Sequence, residues 1–183
     1  MDAQPDAAAI APDLNVAVVA HGAGNDAVLV NVSTGEPSFL NRVGNITSPT
    51  GVDYDPVTQD FLIVSSASNT VTQLNVTPTG SNTYSLLQSS IRVGVNPTSL
   101  AYDFQSGTLL TLNTASHTLS VVDLAKCGIT AATTVSCTTT STVRDVLPFS
   151  GTVQYALAIH PWLSYFVLSD SSNNRIVILP TPR

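Results

Sequence analysis

A long phrase occurs twice in the chain, and this self-similarity constrains the fold more than any other feature of the sequence. The segment 48–75, SPTGVDYDPVTQDFLIVSSASNTVTQLN, aligns without a gap with 96–123, NPTSLAYDFQSGTLLTLNTASHTLSVVD. The two copies share a Pro-Thr pair, a Tyr-Asp pair and an Ala-Ser pair at matching positions. A repeat of this length is typical of modular folds, in which each unit packs against its neighbours to complete its core.

Two weaker copies flank this pair. The segment 155–180, YALAIHPWLSYFVLSDSSNNRIVILP, fits the first phrase and keeps one of its prolines and one of its asparagines. Near the N-terminus, AIAPDLNVAVVAHG matches the start of the last copy in the pattern Ala-Ile-x-Pro-x-Leu. We therefore predict a single repeat domain of four units, at about 7–46, 47–94, 95–152 and 153–183.

Each unit contains short apolar segments separated by turn signals, without helical periodicity. In the second unit the segments GVDYDP, FLIVS and TVTQLNV are separated by VTQD and SASNT. Units one to three add a more variable fourth segment, and unit four has none. Three or four antiparallel strands in about 45 residues is typical of a propeller blade. The sequence thus predicts an all-β fold, a β-propeller-type array of four blades of three to four antiparallel strands.

The second unit resembles the YVTN-type repeat, which is related to NHL repeats, of bacterial surface and secreted propellers. The shared features are Pro-x-Gly before the inner strand, Asp-Pro-x-Thr at the first turn and Ser-Asn-Thr-Val before the third strand. The likeness is strong in units two and three. Unit four has TVQYA where Pro-x-Gly is expected, and unit one has GAGND at the second turn. The resemblance implies the fold and says little about activity, because such propellers include binders, scaffolds, lactonases and lyases.

Composition excludes several partners. The chain is 43% hydrophobic and only 10% charged, with a net charge of −6 and six Lys plus Arg in all. The basic residues are scattered, so no stripe exists to bind nucleic acid. No apolar run approaches the roughly 18 residues of a membrane span. Low charge combined with abundant Thr, Ser and Asn is typical of an extracellular, cell-surface or periplasmic β protein, and we expect this location.

Carboxylates recur in the position that follows the first strand of a unit. Asp55 and Asp103 are equivalent, and His160 and Ala11 occupy the same position in units four and one. We interpret these aspartates as turn caps that accept backbone N–H bonds. The alternative is a metal site in a central channel, where Asp53, Asp55, Asp103 and His160 would hold Ca²⁺ or Zn²⁺.

Polar residues also recur at the turn between the second and third strands, which opens on the face where propellers usually bind ligands. The candidate binding residues at this turn are His21, Asn69, His117 and Asn174. We interpret the asparagines as structural residues, since Asn tolerates positive φ. We interpret the histidines as turn or surface residues. Trp162, the single tryptophan, follows the first strand of unit four. We expect its side chain to pack against the protein, and the alternative is that it is exposed as an interaction site.

Taken together, these patterns favour a non-catalytic binding or structural module of an exported bacterial protein, without a cofactor. The competing class is a lactonase- or lyase-like propeller enzyme with a channel metal. A protein or a glycan is the expected ligand class.

Because blades pack face to face, an open row of four would leave one apolar face bare at each end. We expect these faces to be covered by a second copy of the chain or by further blades of a longer protein, rather than by closure of a lone four-bladed ring.

Cys127 and Cys137 generate the first testable prediction. Their spacing matches no common zinc motif, so we predict a disulfide, with two free thiols as the alternative. The bridge would close a loop of about ten residues, worth roughly 2–3 kcal/mol in the chain-entropy model. We expect a double Cys→Ser variant to fold with a lowered Tm. Titration that finds two reactive thiols in the native protein would contradict the bridge.

Overall fold

The structure is a computed structural model that describes residues 4–33, 36–124, 143–144, 156–160, 162–163 and 165–181. These residues form four separate antiparallel sheets, three of four strands and one of three. Apart from the strands they contain short 3₁₀ turns at Gly22–Gly24 and Ser171–Asn173. The predicted all-β fold of four blades is confirmed, and the sheets are called blades 1 to 4 below.

The strands follow each other in chain order within every blade. Blade 1 comprises β1 (Ala7–Ala11), β2 (Val16–His21), β3 (Asp26–Asn31) and β4 (Ser38–Val43). Blade 2 comprises β5 (Pro49–Asp55), β6 (Asp60–Ser65), β7 (Thr70–Gly80) and β8 (Thr83–Arg92). Blade 3 comprises β9 (Pro97–Asp103), β10 (Thr108–Asn113), β11 (Thr118–Asp123) and β12 (Val143–Arg144). Blade 4 comprises β13 (Leu157–His160), β14 (Tyr165–Asp170) and β15 (Arg175–Pro180).

The second strand of blade 2 is buried along its whole length. Side chains alternate between the two faces of a strand. Accordingly, Phe61 and Ile63 pack into a core shared with blade 1, whereas Leu62 and Val64 pack into a core shared with blade 3. A strand that is buried on both faces has a continuous apolar sequence, which explains why β6 contains FLIV.

Three apolar cores lie between successive blades. The core between blades 1 and 2 includes Val18, Leu29 and Phe61, and the core between blades 2 and 3 includes Leu62, Val64 and Leu109. The core between blades 3 and 4 includes Leu110, Leu112, Phe166 and Leu168. The innermost strands β1, β5, β9 and β13 contact one another in this order. Over the described residues the row does not close into a ring.

Cys127 and Cys137 both lie outside the described residues, so their predicted pairing stays a prediction. Within the described part of the chain, no helix is long and apolar enough to cross a bilayer.

Two equivalent glycines provide a matched test of the packing between blades. Gly44 and Gly94 each follow an Arg-Val pair at the end of a blade. A Cβ at Gly94 would lie 2.6 Å from atoms of Asn113 and Thr118, whereas a Cβ at Gly44 would meet nothing within 4 Å. Because Asn113 is fully buried, we expect Gly94→Ala to lower the free energy of unfolding by about 1–3 kcal/mol. Gly44→Ala should be close to neutral in the same urea titration, and equal losses would contradict this packing.

Candidate functional site

The second turn of every blade contains one residue with a left-handed backbone. These residues are Asn25, Asn69, His117 and Asn174, with φ between 48° and 59°. Asparagine tolerates this region better than most residues. The requirement for positive φ therefore explains why asparagine recurs at this turn.

The side chains of two of these asparagines also connect neighbouring blades. Asn25 Oδ1 accepts the backbone N–H of Ser48 at 2.8 Å, and Asn69 Oδ1 accepts that of Asn96 at 2.8 Å. Ser48 and Asn96 each precede the proline that begins the innermost strand of the next blade. We call this contact the asparagine latch. The oxygen of Asn69 is therefore already engaged in a junction between blades.

The remaining two members of the series differ from this pattern. His117 occupies the equivalent position in blade 3, and residues 151–155, which precede blade 4, lie outside the described residues. Asn174 of blade 4 is exposed, and its side chain makes no hydrogen bond to the described residues.

Asp55 and Asp103 cap the first turns of blades 2 and 3. Asp55 accepts the N–H of Val57 at 2.8 Å and the hydroxyl of Thr58 at 2.7 Å. Asp103 accepts the N–H of Gln105 at 3.0 Å and a serine hydroxyl at 2.7 Å. Both carboxylates are buried, and their geometry is that of turn caps.

Tyrosines connect these first turns to the next blade. The hydroxyl of Tyr102 in blade 3 donates to Asp55 of blade 2 at 2.9 Å, and that of Tyr54 in blade 2 donates to Asp13 of blade 1 at 2.8 Å. Burial, followed by the hydrogen bond to Asp55, raises the pKa of Tyr102. The hydroxyl of Tyr102 therefore stays protonated and serves as a donor at neutral pH.

The four candidate metal ligands are not grouped around a common point. Asp53 accepts the N–H groups of Tyr54 at 2.8 Å and Tyr102 at 3.0 Å, and burial raises its pKa. His160 is exposed, and its Nδ1 lies 3.3 Å from the N–H of Leu163. Across the described residues, no three His, Cys, Asp or Glu side chains lie close enough to hold a metal ion.

The structure places His21 outside the turn in which the sequence predicts it. It is the last residue of β2 rather than part of the turn. Its Nδ1 lies 3.1 Å from Oδ1 of the buried Asp26, and Arg42 Nη1 lies 2.8 Å from Oδ2 of the same carboxylate. The repeat does not reveal this cluster, because Arg42 lies on β4 and the pairing of β4 with β3 cannot be deduced from the repeated residues.

A second carboxylate–arginine pair ends the central strand of blade 4. Asp170 Oδ2 accepts from Arg175 Nε at 2.7 Å and from Asn173 Nδ2 at 2.8 Å. Hydrogen bonds from Asn173 and Arg175 hold the pKa of Asp170 below its usual value. This pair stabilises the turn that contains Asn174.

Trp162 does not pack into a core. It is 73% exposed, and its ring meets that of Phe104 edge to face, with centroids 6.3 Å apart. Leu163, next to it in the chain, is 62% exposed. We call Phe104, Trp162 and Leu163 the aromatic patch. It lies on the first turns of blades 3 and 4, so the repeat brings these side chains together. Phe104 and Trp162 are not shared between units, whereas Leu163 matches Leu14 of the first unit.

No protein-family model matches the chain, and no curated protein matches it in sequence. Among solved structures, the chain is similar to the β-propeller domain of Cps50 (Swd1) from Myceliophteria thermophila, with a TM-score of 0.72 and 10% identity over 99% of this chain and 55% of that one. It is also similar to a protein from Lactobacillus plantarum, with a TM-score of 0.70 and 12% identity over 96% of this chain and 56% of that one.

A third similar structure is a candidate 6-phosphogluconolactonase from Bacteroides uniformis. Its TM-score is 0.67 and its identity 11%, over 97% of this chain and 50% of that one. At this level of identity the likeness shows the β-propeller fold alone. The chain spans about half the length of these three structures.

Two tyrosines give a matched test of the polar junctions. Tyr102→Phe removes a donor to the buried Asp55, and we expect it to cost about 1–3 kcal/mol of unfolding free energy. Tyr54→Phe removes a bond to Asp13 that is exposed, so water replaces the donor and the loss should stay below about 1 kcal/mol. Chemical denaturation of both variants measures the difference. A similar loss in both would show that the junction at Asp55 is not a buried polar contact.

Proposed function

We propose that the chain is a non-catalytic binding module, made of YVTN- or NHL-type propeller blades from an exported bacterial protein. One observation carries the proposal. The repeated polar side chains cap turns or join blades, whereas the aromatic patch, which the repeat does not require, is exposed. A protein partner is the best-supported ligand, because Trp and aromatic neighbours supply much of the binding energy in protein interfaces.

The location follows from composition and remains part of the proposal. Few charges, many Thr and Ser residues and a predicted cysteine bridge all suit an oxidising, extracellular or periplasmic setting. The proposed module needs no cofactor, since neither turn capping nor apolar contact involves one.

The competing function is a lactonase-like enzyme that uses Ca²⁺ or Zn²⁺. The similarity to a candidate 6-phosphogluconolactonase favours this alternative. Metal analysis of the purified protein and hydrolysis of 6-phosphogluconolactone distinguish the two functions. A stoichiometric ion together with turnover would support the enzyme.

Selection from a displayed peptide library tests the binding function. Peptides enriched on the native chain should lose about tenfold or more in affinity for Trp162→Ala, the size expected for a hot-spot residue. Val57→Ala is the matched control, because Val57 is an apolar residue 70% exposed on the first turn of blade 2. Since the chain contains one tryptophan, its fluorescence reports binding at the patch directly.

Three results would count against this proposal. One is that no peptide is enriched, and another is that peptides bind both variants equally. The third is that neutral oligosaccharides, tested in parallel, shift the fluorescence while peptides do not, which would assign the patch to a glycan.

A further inference from the structure

The face of blade 4 that points away from blade 3 is apolar and exposed to solvent. Ile176 and Ile178 of β15 are 71% and 64% exposed, whereas Val177 and Leu179, on the opposite face, pack against blade 3. Ile176 is equivalent in the repeat to Val71 and Leu119, both fully buried against the following blade. The open face of blade 4 therefore has the composition of a face that receives a further blade.

The face of blade 1 that points away from blade 2 is apolar as well. Ile10 is 57% exposed and, on β1, occupies the position that Tyr54 and Tyr102 occupy on β5 and β9. Both tyrosines pack against the blade that precedes their own. Phe39, at the edge of the same sheet, is 64% exposed. Blade 1 thus presents the complementary surface, one that packs on a preceding blade.

The same two ends carry an acceptor and a donor of the kind that form the asparagine latch within the chain. Asn174 has the left-handed backbone of Asn25 and Asn69, and its exposed side chain has no hydrogen-bond partner among the described residues. At the other end, Gln4 precedes Pro5 as Ser48 precedes Pro49. Asn174 of blade 4 therefore offers the acceptor of a latch, and the residue before blade 1 offers the donor.

We propose that these ends meet between two copies of the chain, which pair head to tail into a ring of eight blades. Blade 4 of each copy would pack on blade 1 of the other, with Asn174 accepting the N–H of the partner's Gln4. Four blades span about half of the similar propellers, 50% to 56% of their length, so two copies together would match the length of a complete propeller. In such a ring the two junctions are related by a two-fold axis, and head-to-tail contacts close into a ring when the rotation between successive copies completes a full turn.

Sedimentation velocity across the micromolar range tests the pairing. The expected species has twice the 19.1 kDa mass of the chain. Ile178→Asp places a charge in the junction and should weaken the dimer at least about tenfold. Val95→Asp is the control, because Val95 is 52% exposed on the link between blades 2 and 3 and lies outside both end faces. Circular dichroism should show that both variants fold.

A second pair of variants tests the latch. Asn174→Gly keeps the left-handed turn, which glycine adopts freely, and removes the acceptor. Each dimer then loses one hydrogen bond at each of its two junctions, so the dimer dissociation constant should rise about five- to a hundredfold, whereas the unfolding of the monomer should stay unchanged. Asn69→Gly removes a latch within the chain, so it should lower the Tm and leave dimerisation nearly unchanged.

Mixing experiments establish the direction of pairing. Ile10→Lys should weaken the dimer as Ile178→Asp does. A mixture of the two variants can form a dimer with one native junction and one that contains both substitutions, so it should associate better than either variant alone. Failure of the mixture to associate better would overturn head-to-tail pairing.

A chain that stays monomeric at all concentrations would also overturn the proposal, and would leave further blades of a longer protein as the cover for both faces. Dimerisation that Ile178→Asp does not weaken would equally reject it. These results are separable from those for the proposed binding function, because a monomer that still binds peptides through Trp162 overturns the pairing alone.

Discussion

Each central strand of this protein needs an apolar neighbour on both of its faces. The strand β6 shows this most clearly, since its alternate side chains belong to two different cores. A single blade cannot bury both faces, so each blade depends on the ones beside it for most of its apolar contacts. The row of four sheets and the three cores between them follow from this requirement, whereas the open faces of blades 1 and 4 leave it unmet.

Polar contacts define how the blades are joined. Apolar packing is weakly directional, whereas a hydrogen bond fixes both distance and angle. The latches of Asn25 and Asn69 hold the start of the next blade at one end of the junction. The contacts of Tyr54 and Tyr102 hold the opposite end. Each of these junctions thus has one polar contact at either end of the innermost strand, which restrains the orientation of one blade relative to the next.

Most of the recurring polar side chains in this protein have a structural role. Asp55, Asp103 and Asn69 recur because every blade needs caps and junctions, so their repetition is evidence for structure rather than chemistry. The informative residues are those that the repeat does not explain. The aromatic patch around Trp162 is one such set, and the open faces at Ile10 and Ile176 are another.

Much of the fold could be read from the residues alone. The repeat defined four units, and its strands and turns matched the described blades, because side-chain alternation and turn residues act over a few neighbours. The recurrence of asparagine at the second turn reflects a local demand for positive φ, which the sequence pattern by itself indicates. Long-range contacts could not be read in this way. The pairing of Arg42 with Asp26, the Tyr102–Asp55 junction and the contact of Trp162 with Phe104 each join residues from different strands or blades. Their positions depend on strand pairing and on the angle between sheets, which only the packed structure determines.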